Sequence, residues 1–235
     1  VPAPTALPKY IQVSERLIRE IAAGHLADGA RLPGEREMAR DLELSVGTLR
    51  KALAVLADKG LLHRVQGSGN YVRHRAGVTS VYGFFRLELR RGGGLPTARV
   101  LDVVRRNKPA DAPDFGPAAT GWRIRRLRRL DDTAVAVEEI WLDGDRAETL
   151  SAQDLSESLY QHYRDRLGLT IATVEDRLGV APVPVWVPAD FGLAPGVPAG
   201  HISRLGRDAA GARVEFSRTW FDYTKARYVS RMGRG

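Results

Sequence analysis

A chain of 235 residues with 43% hydrophobic content is long enough for two ordinary domains, each burying its own core. The complete lack of cysteine excludes disulfides, zinc knuckles and thiol catalysis, and the five histidines (His25, His63, His74, His162 and His201) show no metal-site spacing, so no cofactor or metal is expected. The formal net charge of +8 admits a nucleic-acid partner, and basic charge is denser early: residues 1–80 hold 12 Lys and Arg against 8 Asp and Glu, residues 81–235 hold 24 against 20.

Only 5 of the 36 basic residues are lysine, a bias toward arginine that makes arginine count alone a weak guide to function. No apolar run approaches the roughly 20 residues needed to span a bilayer, and no charged-then-apolar segment opens the chain. The expected location is cytoplasmic, with no membrane partner.

Residues 1–8 are Pro-rich and are expected to pack loosely. Tyr10, Val13, Leu17, Ile18 and Ile21 then mark one face of a helix that Gly24 ends. Ala30-Arg31-Leu32 reads as a short extended piece. Pro33 and Gly34 open a second helix with Met38, Ala39 and Leu42 facing inward and Arg36 and Arg40 outward.

A third helix carries Leu49, Ala52, Leu53 and Leu56 at i, i+3, i+4 and i+7. Ser45 is placed to cap its start, and Gly60 lies just past its end, where positive φ is needed. The opposite face of its first turns shows Val46, Gly47, Thr48, Arg50 and Lys51, small, hydroxylic and basic groups that can enter a major groove without clashing. An ordinary amphipathic surface helix has the same pattern. Beyond it, Leu61–Gln66 and Asn70–Arg73 read as extended runs around Gly67-Ser68-Gly69, a hairpin whose bare tip lets backbone approach a phosphate chain.

Helix, helix and hairpin in this order form a winged helix-turn-helix pattern, and the residues carry a resemblance. Tyr10-Ile11-Gln12, the Gly24 and Gly29 pair, Leu32-Pro33-Gly34-Glu35-Arg36, Ser45-Val46-Gly47-Thr48-Leu49-Arg50, Lys59-Gly60-Leu61-Leu62 and Gly67-Ser68-Gly69-Asn70-Tyr71-Val72 resemble successive signatures of the GntR family of bacterial transcription regulators. The resemblance implies a DNA-binding domain over residues 9–74. It further implies docking on the DNA backbone by Arg36 and by the wing (Gln66, Gly67, Ser68, Gly69), with base reading from Ser45, Val46, Gly47, Thr48, Arg50 and Lys51. Relatives carry arginine after the Ser or Thr that starts the recognition helix. Here Val46 offers only an apolar contact such as a thymine methyl, so the operator is not borrowed from relatives.

The pattern breaks over residues 75–82, read as a linker that lets one domain turn relative to the other. Residues 83–231 then read as strands with few helices: Ala98–Val104, Gly121–Leu130, Val135–Leu142, Thr170–Ala181, Gly200–Arg207 and Arg213–Tyr223, with turns at Asp131-Asp132 and Asp208–Gly211. Leu159, Tyr160, Tyr163 and Leu167 mark a helix that stops at Gly168, and Pro188–Leu193 suggests a shorter one. Strands joined by tight turns imply an α+β domain, an antiparallel sheet with helices on one side.

Arg126 and Arg128 alternate with Leu127, so on a strand they share a face, where two guanidinium groups repel unless an anion lies between them. Glu138 sits in an apolar strand where an unpaired carboxylate is costly. It either pairs with those arginines or accepts hydrogen bonds from a ligand. Ser156 and Ser158 either donate to an anion or simply cap the helix.

This half is similar to the UTRA effector domain of the HutC subfamily, which implies a chorismate-lyase-like fold. The similarity rests on Arg126-Leu127-Arg128, Val137-Glu138, Ser156-Glu157-Ser158-Leu159-Tyr160 and Val214-Glu215-Phe216-Ser217. It implies an effector site built on Arg126, Arg128, Glu138, Ser156, Ser158 and Glu215, with Phe221 where relatives often place tyrosine. The expected protein is a ligand-responsive regulator: a homodimer on a palindromic double-stranded operator, most simply a repressor released by a small anionic metabolite. Two alternatives remain: a regulator whose second domain only dimerises, and a lyase-like enzyme fused to a DNA-binding domain.

Overall fold

The structure, a computed structural model, describes residues 7–74, 82–155 and 158–231. All but the last residue of the expected linker, Ser156, and the first six residues of the Pro-rich start lie outside the described residues. The chain divides into two compact units, residues 7–95 with 228–231, and Pro96–Arg227.

The first unit is built on three helices. In α1 (Lys9–Ala23) Val13, Leu17, Ile18 and Ile21 of the expected stripe are buried and Tyr10 is half-buried, and Gly24 ends the helix at φ 82°. The second helix, α2 (Glu35–Asp41), starts after Gly34, which offers no side-chain cap, and buries Met38 and Ala39. The third, α3 (Val46–Asp58), buries Leu49, Ala52, Leu53 and Leu56, and the Ser45 hydroxyl accepts from the Thr48 amide. A cap of this kind contributes about 1 kcal/mol.

Strands β1 (Leu62–Val65) and β2 (Gly69–Val72) pair antiparallel with Val65 opposite Gly69, leaving Gln66-Gly67-Ser68 as the tip. Gly67 at φ 75° and Gly69 at φ 132° adopt backbone that side-chain-bearing residues avoid. Arg31 bridges to Tyr71, so the short extended piece read from the sequence forms the hairpin's third edge.

Residues 83–95 group by contact with the compact unit that holds the helices. The reason is Arg19, whose stem leaves α1 and whose guanidinium is buried among backbone carbonyls. Its Nε donates to Gly94 O at 2.6 Å and its Nη2 to Leu87 O at 2.5 Å. Strand β3 (Leu87–Leu89) carries Glu88, which receives both terminal nitrogens of Arg231 at 2.6 and 3.0 Å. The returning chain adds a bond from the Val229 amide to Arg86 O.

The second unit is a six-stranded antiparallel sheet. In chain order its strands are β4 (Pro96–Asn107), β5 (Thr120–Leu130), β6 (Thr133–Asp143), β7 (Ile171–Pro182), β8 (Pro198–Asp208) and β9 (Arg213–Phe221). In space the order is β4-β5-β6-β9-β8-β7. A final short strand, β10, spans Ala226–Tyr228. All six expected strands are present: β4, β5, β6 and β8 run beyond the expected bounds, β7 is shifted by one residue, and β9 stops at Phe221, short of the expected Tyr223.

Helix α4 (Leu159–Leu167) ends at Gly168 with φ 61° and buries Tyr163. The helix expected over Pro188–Leu193 is only a 3-10 turn, Ala189–Phe191, cut short by Gly192 at φ 87°. Its Phe191 packs with Val183, Leu127, Val137 and Trp220.

Candidate DNA-facing and effector-binding sites

On the first unit, Arg36, Ser45, Gly47, Arg50, Lys51, Gln66 and Gly67 are all exposed, on the starts of α2 and α3 and on the hairpin tip. Thr48, Ser68 and Gly69 are half-buried. Ser45 and Thr48 are tied to each other, hydroxyl to hydroxyl at 2.8 Å, so both serve the helix start as well as any DNA contact. Val46, expected to project as an apolar reader, is half-buried and packs against the helical core, leaving only part of its side chain for a base.

Arg50 is not free in this arrangement. Its Nε donates to Glu35 Oε2 at 2.7 Å, and the other oxygen of that carboxylate receives Arg64 Nη2 at 2.9 Å. The Arg50 hydrogen bond holds the Glu35 pKa below the usual carboxylate value, against opposition from partial burial. The carboxylate is therefore ionised at neutral pH.

On the second unit, strand register decides which side chains meet. Arg126 lies opposite Glu138, Glu138 opposite Thr219, and Phe221 opposite both Ala136 and Gly200. With a period of two, Arg126, Arg128, Glu138, Glu215 and Phe221 all point to one face of the sheet. All five are buried.

The sequence left two partners open for Glu138, and here it pairs with the arginines. Arg126 donates to Glu138 Oε2 through Nε at 3.0 Å and Nη2 at 2.7 Å, and Arg128 Nε lies 3.7 Å from Oε1. Burial pushes the Glu138 pKa up, but the two neighbouring positive charges and the Arg126 hydrogen bond outweigh it, so the net shift is downward. Arg126 Nη1 remains buried with no hydrogen-bond partner. A buried guanidinium nitrogen with nothing to donate to is costly, and an incoming oxygen would relieve it.

Ser158 caps α4, its hydroxyl accepting from the Gln161 amide at 3.4 Å. Phe221 lies directly over Gly200, where a Cβ would meet its ring. Its phenyl brings no hydroxyl to the face.

Four further groups join this site that the sequence reading did not assign to it. Tyr160 donates to Glu215 Oε1 at 2.7 Å, and Tyr163 presents its hydroxyl to the same carboxylate without meeting hydrogen-bond geometry. Arg204 on β8 forms a two-pronged pair with Asp176 on β7, Nε to Oδ1 at 2.6 Å and Nη2 to Oδ2 at 2.7 Å. Both tyrosines were visible in the apolar stripe of α4, and Tyr160 also as the last residue of the Ser156–Tyr160 motif, without a role at the site. Arg204 and Asp176 enter through the β7–β8–β9 register, which no local pattern reveals.

Burial pushes the Glu215 pKa up, and the tyrosine hydroxyls and arginine charges only partly offset it. The native state therefore holds this proton more tightly than the unfolded chain does. Glu215's contribution to stability is full below the unfolded carboxyl value of about 4.3 and declines as pH rises through its own raised value. Glu215→Gln is expected to raise the thermal midpoint by a few degrees, with a gain that grows from pH 4 to pH 8. Calorimetry across that range checks it, and a gain independent of pH would refute the assignment.

A separate cavity of 670 Å³, lined by Arg146, Asp154, His162 and Arg166 among others, lies at α4 away from this cluster. Among the described residues no group of His, Cys, Asp and Glu could hold a metal ion, and no helix is long and apolar enough to cross a membrane.

A winged helix-turn-helix with a basic recognition face, followed by an antiparallel sheet with a buried charged cluster, defines a class of DNA-binding regulators with an effector domain. Residues 9–72 match the family of bacterial regulatory proteins of the gntR type, and residues 91–227 match the UTRA domain. The HTH-type transcriptional regulator SmoD of Agrobacterium fabrum is 55% identical over 227 residues, 97% of each chain. The HTH-type transcriptional repressor NagR of Bacillus subtilis is 25% identical over 234 residues, 96% of each. The crystal structure of the possible transcriptional regulator YydK from Bacillus subtilis shares the fold at TM-score 0.54 and 21% identity, covering 97% of this chain and all of that one. The chain belongs to the GntR family of transcriptional regulators, with the winged helix-turn-helix plus UTRA arrangement of the HutC subfamily and a chorismate-lyase-like effector domain.

Proposed function

We propose that this regulator is a repressor that binds a palindromic operator as a homodimer and is released by a small anionic metabolite. Exposed Arg36, Gly47, Arg50, Lys51, Gln66 and Gly67, with Ser45, Val46, Thr48, Ser68 and Gly69 beside them, would form the DNA contact. Arg126, Arg128, Glu138, Ser156, Ser158, Glu215 and Phe221 would surround the effector.

The observation that carries the reading is the Arg126–Glu138–Arg128 cluster, with Arg126 Nη1 buried and unpartnered. A carboxylate, phosphate or similar anion would compete with Glu138 for two guanidinium groups already held on one face. It would occupy the idle nitrogen as well. Differential binding to two arrangements of the dimer then shifts their populations, and with them operator affinity. Repression is supported by the relative named as a repressor, NagR. In this reading the sheet unit binds its ligand without transforming it.

The test uses the full chain. Wild-type protein selects duplexes from a fragmented-genome pool, and a panel of anionic metabolites is screened for release of the selected duplex and for thermal stabilisation. A compound that does both and is recovered unchanged supports the reading. Failure of every compound and of cell extract to release the DNA would favour a domain that only dimerises, and turnover of a bound compound would point to an enzyme.

A further inference from the structure

We propose that Glu35 is a positioning residue for DNA reading: one carboxylate links recognition-helix Arg50 to wing Arg64, holding both in a single geometry at the expense of non-specific affinity. The inference rests on the DNA-binding assignment of this face and adds a role for a residue that touches neither base nor effector.

The geometry joins three elements that otherwise meet the duplex independently. Glu35 is the first residue of α2, Arg50 lies in the second turn of α3, and Arg64 lies on β1. Oε2 receives Arg50 and Oε1 receives Arg64 at 2.7 and 2.9 Å, so neither oxygen is idle. Arg64 also donates from Nε to Asn70 Oδ1 at 3.4 Å, and Asn70 is a buried residue of β2, so the wing arginine is held from two sides.

The arginine side chains are 64% and 62% exposed while Glu35 is 23% exposed, so the acid forms the inner support and the guanidinium groups the outer contact. An acid placed on a surface that approaches a polyanion opposes binding, and it neutralises charge that would otherwise release counterions. Its return is orientation. A flexible arginine is most economical at a phosphate, where any approach serves, whereas reading a base edge needs a planar fork at a fixed angle. Holding Arg50 through Glu35 favours the second use over the first.

A carboxylate at the start of a helix also favours the helix dipole, and that bland role makes a different prediction. The discriminating variant is Glu35→Gln in the full-length protein, assayed against a duplex that the wild type has selected from a random pool and against a scrambled duplex of equal length. Freed arginines should bind the scrambled duplex several-fold more tightly, and the logarithmic salt dependence should steepen by about one to two phosphate contacts. The ratio of selected to scrambled affinity should fall about tenfold, the scale of one well-aligned base contact.

If Glu35 serves only the helix start, both affinities fall together and the salt dependence is unchanged, which overturns the proposal. Arg64→Gln provides an independent arm: it removes one side of the bridge but leaves the acid, so discrimination should fall with no gain on scrambled DNA. Unaltered discrimination in that variant would equally overturn the proposal. A wild-type protein that selects no duplex at all would instead defeat the DNA-binding assignment beneath it.

Discussion

Arg126→Ala is expected to destabilise the sheet unit by about 3–5 kcal/mol, the usual consequence of removing one partner from a buried ion pair and leaving the other charge uncompensated. Glu138 would lose its two-pronged hydrogen-bonded partner and keep the charges of Arg204 and of Arg128, whose Nε lies 3.7 Å away, beyond hydrogen-bond range. Urea denaturation followed by tryptophan fluorescence reports directly on this unit, because Trp122, Trp141, Trp186 and Trp220 all lie within it. Adding Glu138→Gln to the Arg126→Ala background should recover part of the loss, since the orphaned charge goes with it. Equal stability of the single variant and the wild type would mean that the cluster is solvated in solution. The same substitution bears on function: Arg126→Ala combined with Arg128→Ala should abolish any thermal shift that an anionic ligand produces in the wild type.

Arg50→Ala should have the opposite profile. The side chain is exposed and makes no core contact, so the thermal midpoint should move by no more than a surface substitution usually allows, about 0.5 kcal/mol. Affinity for the selected operator should fall by about 1–3 kcal/mol, roughly 5- to 150-fold, with a much smaller change on scrambled DNA. Fluorescence anisotropy with both duplexes checks the pair of values. Equal affinity of variant and wild type for the operator would sink the recognition-helix assignment.

The scaffold of both units was legible because it depends on local periodicity. The stripes of α1 and α3, the Ser45 cap, the glycine stops at Gly24 and Gly168 and the six long strands each declare themselves within about a dozen residues. The effector face was legible as far as Arg126 and Arg128, whose alternation places them together on any strand. The partner of those arginines depended on β5 pairing with β6 in one register, which puts Glu138 opposite Arg126. Arg204 and Asp176 depended on pairings farther across the sheet, between segments about 30 residues apart, and no short pattern encodes those.

Val46 shows the converse difficulty. Its position at the recognition-helix start suggested a base contact, but valine also fits the apolar fringe of the helical core, and packing took much of its surface. Glu35 and Arg64 were hidden for a third reason: 29 residues separate them, and their meeting requires the wing to fold back beside α2. Residues 83–95 carry no periodicity strong enough to assign them, and their place is set by Arg19, 75 positions before Gly94.

The link between Glu88 and Arg231 also sets a clock. Ribosomes deliver the three helices and the wing first, and at about 5–20 residues per second the 143 positions between the acid and its partner take roughly 7 to 30 s to emerge. Through that interval a carboxylate destined for burial waits for its bidentate arginine while the whole sheet is being made. A nascent chain therefore acquires its DNA-reading helices well before the unit that contains them is electrostatically complete.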